Sequence, residues 1–176
     1  MRKNVLRMYS VMLFLLVLSL CCYADDGIRE SLSLDGTWQI IFDRHNEGRQ
    51  TEWFREGSFP KEKTREITVP SCWELTEKDY EGVAFYRRTF VVPATWEGKV
   101  VRLRFAAVNY LAEGWLNHKA VGFHEGGFTP FEFRVDKLIK AGGENTLILR
   151  VAGPILLQDK TIDGVGRMET PQWRGA

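Results

Sequence analysis

Residues 99–105 read KVVRLRF, and the order of these side chains decides the fold class. Val101, Leu103 and Phe105 point one way, while Arg102 and Arg104 point the other. A period of two with one wet face is the mark of a half-buried strand in an antiparallel sheet. On the C-terminal side, FEFRV at 131–135 repeats the alternation with Glu132 and Arg134 outward, and TLILRVA at 146–152 is a strong apolar run. On the N-terminal side, TWQIIF at 37–42 follows the turn pair Asp35–Gly36. ITV at 67–69 stops at Pro70, and AFYRRTFVV at 84–92 stops at Pro93. Between the first two runs, 43–66 is polar apart from Trp53, Phe54 and Phe59, and reads as a long connection over the surface. VDKLIKAGGEN at 135–145 holds at most one or two helical turns, and no stretch has the period of a long amphipathic helix. Short strands with turn-rich joints predict an all-β antiparallel sandwich or barrel, and the crossovers of a parallel sheet are missing.

Composition narrows the setting. Arg2, Lys3 and Arg7 precede an apolar run of ten at 11–20, with Cys22 and Ala24 before Asp25. This is the pattern of a secretory signal peptide over 1–24, leaving a domain at 25–176 and a secreted or periplasmic location. The apolar run is too short for a span, which needs about 20 residues. The leader carries three of the 24 basic residues, so the remainder is slightly acidic against 23 Asp and Glu. That balance gives no case for nucleic acid or an anionic membrane surface as partner. Cys72 is the one cysteine beyond the leader, so no internal disulfide is expected there and the core must hold the fold.

The residues with chemical potential have bland readings beside them. His124 and Glu125 are adjacent in VGFHEGGFTPFEF, residues 121–133, and invite an acid–base reading. In an extended strand they face opposite ways, whereas a working pair needs contact of about 2.6–3.2 Å. Gly126 and Gly127 relax the backbone, and Phe128, Phe131 and Phe133 supply core or a pocket wall. His45, His118 and His124 lack the spacing of metal ligands, so neither metal nor cofactor is expected. Glycosidic hydrolysis needs two carboxylates about 5–9.5 Å apart, and nothing selects a pair among Glu74, Glu77, Asp79, Glu81, Glu113 and Glu125. No catalytic residue is nominated. The tryptophans carry more information: Trp38, Trp53, Trp73, Trp96, Trp115 and Trp173 include rings that could stack on a sugar, and Trp73 leads because it leaves a strand into a loop.

Five quoted stretches together carry a resemblance. SLDGTWQIIFD, ITVPSCWE, VAFYRRTFVVP, VVRLRFAAVNYLAEGWLNHKAVGFHEGGFTPFEFRV and GGENTLILRVAGP resemble, in that order, the amino-terminal sugar-binding domain of the family 2 glycoside hydrolases. That family includes β-galactosidases, β-glucuronidases and β-mannosidases. The resemblance covers about 32–176. It implies a jelly-roll β-sandwich of the galactose-binding type. It also implies an immunoglobulin-like domain and a catalytic (β/α)₈ barrel further along the polypeptide, with a glycine-rich segment and closing strand after QWRG. The domain is therefore expected to be incomplete at its C-terminal end. By resemblance, the loop at 71–74 and the stretch 163–173 approach the substrate, which nominates Trp73, Asp163, Gln172 and Trp173 as sugar-facing. Trp115, Asn117, His124, Glu125, Gly126 and Gly127 match motif positions read as structural. Asn117–His118 stands where the family has Asn-Gly, in a hairpin turn that His also tolerates.

The leading expectation is a non-catalytic accessory domain of a secreted family 2 enzyme, inactive alone. It would help shape the pocket for a β-glycoside and pack on downstream domains. Two other readings compete: an autonomous carbohydrate-binding module with an exposed aromatic platform, and a structural domain that binds its neighbour through an apolar patch.

Overall fold

The computed structural model describes residues 29–153. Residues 29–32 fall in a unit separate from the one beginning at Ser33, which contains the sandwich. Among the described residues eight strands form: β1 (Gly36–Phe42), β2 (Arg65–Val69), β3 (Val83–Val91), β4 (Arg102–Phe105), β5 (Leu111–Leu116), β6 (Lys119–Glu125), β7 (Phe131–Arg134) and β8 (Glu144–Ala152). Six make one sheet in the order β2-β1-β3-β8-β5-β6, and β4 pairs with β7 in a second. Every pairing between these strands is antiparallel. This is the all-β sandwich of jelly-roll type, and no helix of the described residues is long and apolar enough to cross a membrane.

Alternation explains the layers. Trp38 and Ile40 of β1, Ala84 of β3, and Leu147, Leu149 and Val151 of β8 share one core with Val101, Leu103 and Val135. That core lies between the large sheet and the β4–β7 pair, whose outward Arg102, Arg104, Glu132 and Arg134 are exposed. The alternate residues Ile41, Val83, Phe85, Leu111, Trp115 and Ile148 face the opposite side of the large sheet. There the connection after β1 covers them with Trp53, Phe54 and Phe59. The 43–60 segment is thus a strap that closes a second core, where its composition suggests only a surface connection. Trp53 meets Phe85 edge-on, and Phe54 stacks on Trp115 at 4.4 Å.

The two-stranded sheet covers part of the first core. The loop from 70 to 82 covers more, with buried Tyr80 packed against Phe42 and buried Trp73 against Tyr80. The stretch 135–145 contains one turn, with Ile139 N–H donating to Val135 O at 3.0 Å.

Candidate functional site

Register fixes one end of the large sheet. Val83 and Leu111 both lie opposite Ala152, and Leu111 also lies opposite Glu125. Backbone hydrogen bonds tie the loops that converge there. Gly153 N–H donates to Gly82 O at 2.9 Å, Tyr110 N–H to Ala152 O at 3.1 Å, and Gly126 N–H to Tyr110 O at 3.0 Å. The loops 70–82, 106–110 and 126–130 therefore meet around the end of β8, and their exposed parts form the candidate site.

The first loop follows a cis Val69–Pro70 peptide and makes a 3₁₀ turn at Trp73–Leu75. Trp73 does not take the sugar-facing position expected of it. The turn sends its indole inward, where it is 8% exposed and meets Tyr80 edge-on at 5.7 Å. A Cβ at Gly153 would stand 3.5 Å from Trp73 Cζ2, so the ring packs beneath the end of β8. Ser71, Cys72 and Glu74 are exposed around it. Tyr80 closes the loop: its hydroxyl donates to Val83 O at 2.7 Å and accepts from Val83 N–H at 3.2 Å. Burial pushes this phenol up to about 12. Burial also raises Tyr86, with the nearby Glu74 adding to the effect. Outside, Glu77 accepts hydrogen bonds from Arg65 and Arg44, which hold its carboxyl below the usual carboxylate range. Arg44 lies over the Tyr80 ring and Arg65 over Phe42.

The His–Glu pair ends β6, immediately before the third loop. His124 stacks on Phe131 at 4.1 Å, and its Nε2 is 3.1 Å from Thr129 Oγ1. Phe131 stacks in turn on Phe105 at 4.9 Å. Glu125 follows on the opposite face and is exposed. Gly126 has φ 136°, a conformation that favours glycine, and buried Gly127 lies under Asn109. Asn117 and His118, with φ 49° and 68°, form the two-residue turn between β5 and β6. Two positive φ values are what a type I′ hairpin requires. Asn117 also bonds Leu138 O and Asn145 Oδ1, each at 2.8 Å, and His118 Nδ1 donates to Phe54 O at 3.0 Å. Trp115 is buried under Phe54. Asp163, Gln172 and Trp173 lie outside the described residues, as do residues 1–24.

One charged group has no counterpart among the residues nominated from sequence. Arg150, 1% exposed, reaches Glu113 Oε2 at 3.4 Å and Asn46 Oδ1 at 2.5 Å. Arg49 Nε reaches the other oxygen of Glu113 at 3.2 Å. Asp43 accepts from the backbone N–H groups of Glu47 and Gly48, both at 2.9 Å. Burial raises Glu113 above the usual carboxylate range, with Arg150 and Arg49 opposing it. It raises Asp43 likewise, with the Gly48 and Glu47 N–H groups opposing. Glu113 and Arg150 face each other across β5 and β8, so their charges tie the strap to the sheet. These carboxylates are consumed by structure, and His124 and Glu125 face apart. Among the described residues no group of three His, Cys, Asp or Glu side chains is placed to hold a metal ion.

The profile of the glycosyl hydrolases family 2 sugar-binding domain matches residues 31–164. A β-glucuronidase of Paenibacillus borealis is 31% identical over 132 residues, 72% of this chain and 22% of that protein. A β-galactosidase of Thermoanaerobacter pseudethanolicus is 42% identical over 72 residues, 41% of this chain and 10% of that protein. Among solved structures, a β-glucuronidase from Ruminococcus gnavus in complex with D-glucuronic acid superposes with a TM-score of 0.64 at 28% identity. That match covers 69% of this chain and 22% of the other. The chain spans about a fifth of the length of the first curated relatives it matches.

Proposed function

The chain belongs to the family 2 glycosyl hydrolases through their sugar-binding domain, and from that premise we propose that it is the non-catalytic accessory part of a β-glycoside-processing enzyme. Its task is to hold loops at one end of the sandwich against the substrate of a catalytic partner, and to pack on that partner. The observation that carries this reading is the match to the family's sugar-binding domain across the whole sandwich. The chemistry of the carboxylates supports it. Retaining and inverting hydrolysis both need a pair facing one glycosidic bond, while Glu113, Asp43 and Glu77 are held by arginines or backbone N–H groups. The basic and apolar leader supports export, which agrees with substrates met outside the cytoplasm.

Calorimetric titration of the chain with β-linked mono- and oligosaccharides, beside a hydrolysis assay on aryl β-glycosides, tests the proposal. The expected result is saturable sugar binding without turnover. Turnover by the purified chain would refute the non-catalytic role, and a cooperatively folded chain that binds no sugar would refute the binding role.

A further inference from the structure

We propose that Phe128 is the platform on which this domain stacks the apolar face of a pyranose ring, an inference that rests on the sugar-binding reading above. Sugar recognition needs an accessible ring, because the C–H face of a pyranose is apolar and aromatic faces cover such surface well. Trp73 is buried, and so are Trp38, Trp53 and Trp115. Among the described residues Phe128 is the one Phe, Tyr or Trp side chain that stands free in solvent, at 92% exposure, the others being buried or half-buried. Its position is built. On one side Gly126 N–H is bonded to Tyr110 O at 3.0 Å, and Tyr110 N–H to Ala152 O at 3.1 Å. On the other, Thr129 Oγ1 is bonded to His124 at 3.1 Å. At the preceding residue, Asn109 Oδ1 comes so close to Gly127 that a Cβ there would stand 2.7 Å away. With the flanking backbone tied in this way, the loop itself loses little freedom when a ligand lands on the ring. Exposed Asn109 and Thr129 lie in these loops and exposed Glu125 ends β6 beside them, and they offer an amide, a hydroxyl and a carboxylate to sugar hydroxyls. The platform stands at the end of the sheet where β8 finishes, within the candidate site.

The test compares the full chain with Phe128→Ala and Phe128→Trp, titrated with methyl β-D-glucuronide and methyl β-D-galactoside. Melting and sedimentation are measured on the same samples. The expected result is saturable binding of at least one glycoside by the wild type and a loss of about tenfold or more in Phe128→Ala, on the scale of an aromatic contact plus its area. Phe128→Trp keeps the affinity, and the melting temperature of Phe128→Ala is unchanged because the ring touches almost nothing. Equal affinity in wild type and Phe128→Ala overturns the platform while leaving sugar binding standing. Absence of binding to either glycoside by the folded wild type overturns the sugar-binding reading and the platform with it. Concentration-dependent self-association that Phe128→Ala abolishes makes the ring a protein contact and overturns the proposal.

Discussion

Replacing Arg150 by Met should unfasten the strap over the second core. The guanidinium is 1% exposed and meets Glu113 at 3.4 Å and Asn46 at 2.5 Å. Met fills much of the same volume, so the loss is electrostatic rather than a cavity. It leaves Glu113 buried with Arg49 still against it at 3.2 Å, and it removes the attraction that Arg150 exerts on Asp43. Breaking a buried pair from one side costs about 3–5 kcal/mol. Arg49 retains part of the compensation, which places the expectation near the low end, about 3 kcal/mol. For a body of this size that lowers Tm by roughly 10 °C. The assay is thermal melting followed by near-ultraviolet circular dichroism, paired with limited trypsin digestion under native conditions. Cleavage after Arg44, Arg49 and Arg55 should accelerate, since these residues lie in the strap. Removing both charges in Glu113→Leu/Arg150→Met should be no worse than the single substitution, because no uncompensated buried charge remains from the pair. The reasoning is refuted if the single variant melts within about 2 °C of wild type, or if the double variant loses the sum of both singles.

Three other substitutions probe separate parts of the argument. Tyr80→Phe removes the acceptor of buried Val83 N–H, while Val83 O keeps Asp43 N–H at 2.7 Å; the expected cost by chemical denaturation is about 1–3 kcal/mol. Gly122→Ala places a Cβ 2.7 Å from Phe133 Cε1 at φ 141°, and should lower stability by about 2–4 kcal/mol, read from the same denaturation curves. The pH dependence of melting tests the buried carboxylates. Glu113 and Asp43 bind their protons more tightly folded than unfolded, so each contributes stability below its unfolded value of 4.5 or 3.8 that is lost as pH rises through the folded value. Glu113→Gln should therefore flatten the fall in Tm as pH rises above the ordinary glutamate value of 4.5, with Asp43 leaving a residual slope. An unchanged pH profile in that variant would show that Glu113 titrates normally.

Strands with an unbroken pattern, alternating or wholly apolar, were legible, and a strand interrupted by a charge and a glycine was hidden. Val101, Leu103 and Phe105 against Arg102 and Arg104 announce β4 because one face is wet, although pairing with β7 begins at Arg102 rather than Lys99. β8 reads as an apolar run because both its faces are covered. β5 is equally covered, but LAEGWL has a carboxylate and a glycine at its centre, which reads as a break. Its six residues are all buried, and Glu113 is tolerated because Arg150 lies opposite it on β8, 37 positions along the chain. No local period can report a compensation made at that distance. The strap hides for a related reason: Trp53, Phe54 and Phe59 lie in a polar segment without strand or helix spacing, yet all three pack on the sheet.

The same limit governs the site. Trp73 is a reasonable sugar contact for a reader who sees an aromatic leaving a strand, because exposure cannot be read from residue type. Its burial follows from the 3₁₀ turn and from Tyr80, whose hydroxyl anchors the far end of the loop on Val83. That anchoring makes the loop part of the core wall, with Trp73 as one of its inward faces. Phe128, which sequence assigns to core or pocket wall together with Phe131 and Phe133, separates from them because the strand pattern resumes at Phe131. Phe131 and Phe133 are then drawn into ring contacts with Phe105, while the bond of Gly126 to Tyr110 holds the turn outside the sheet. Two backbone constraints thus exchange the roles expected of two aromatics. A ring chosen for its place in a loop supports the fold, and a ring grouped with the core is presented to solvent.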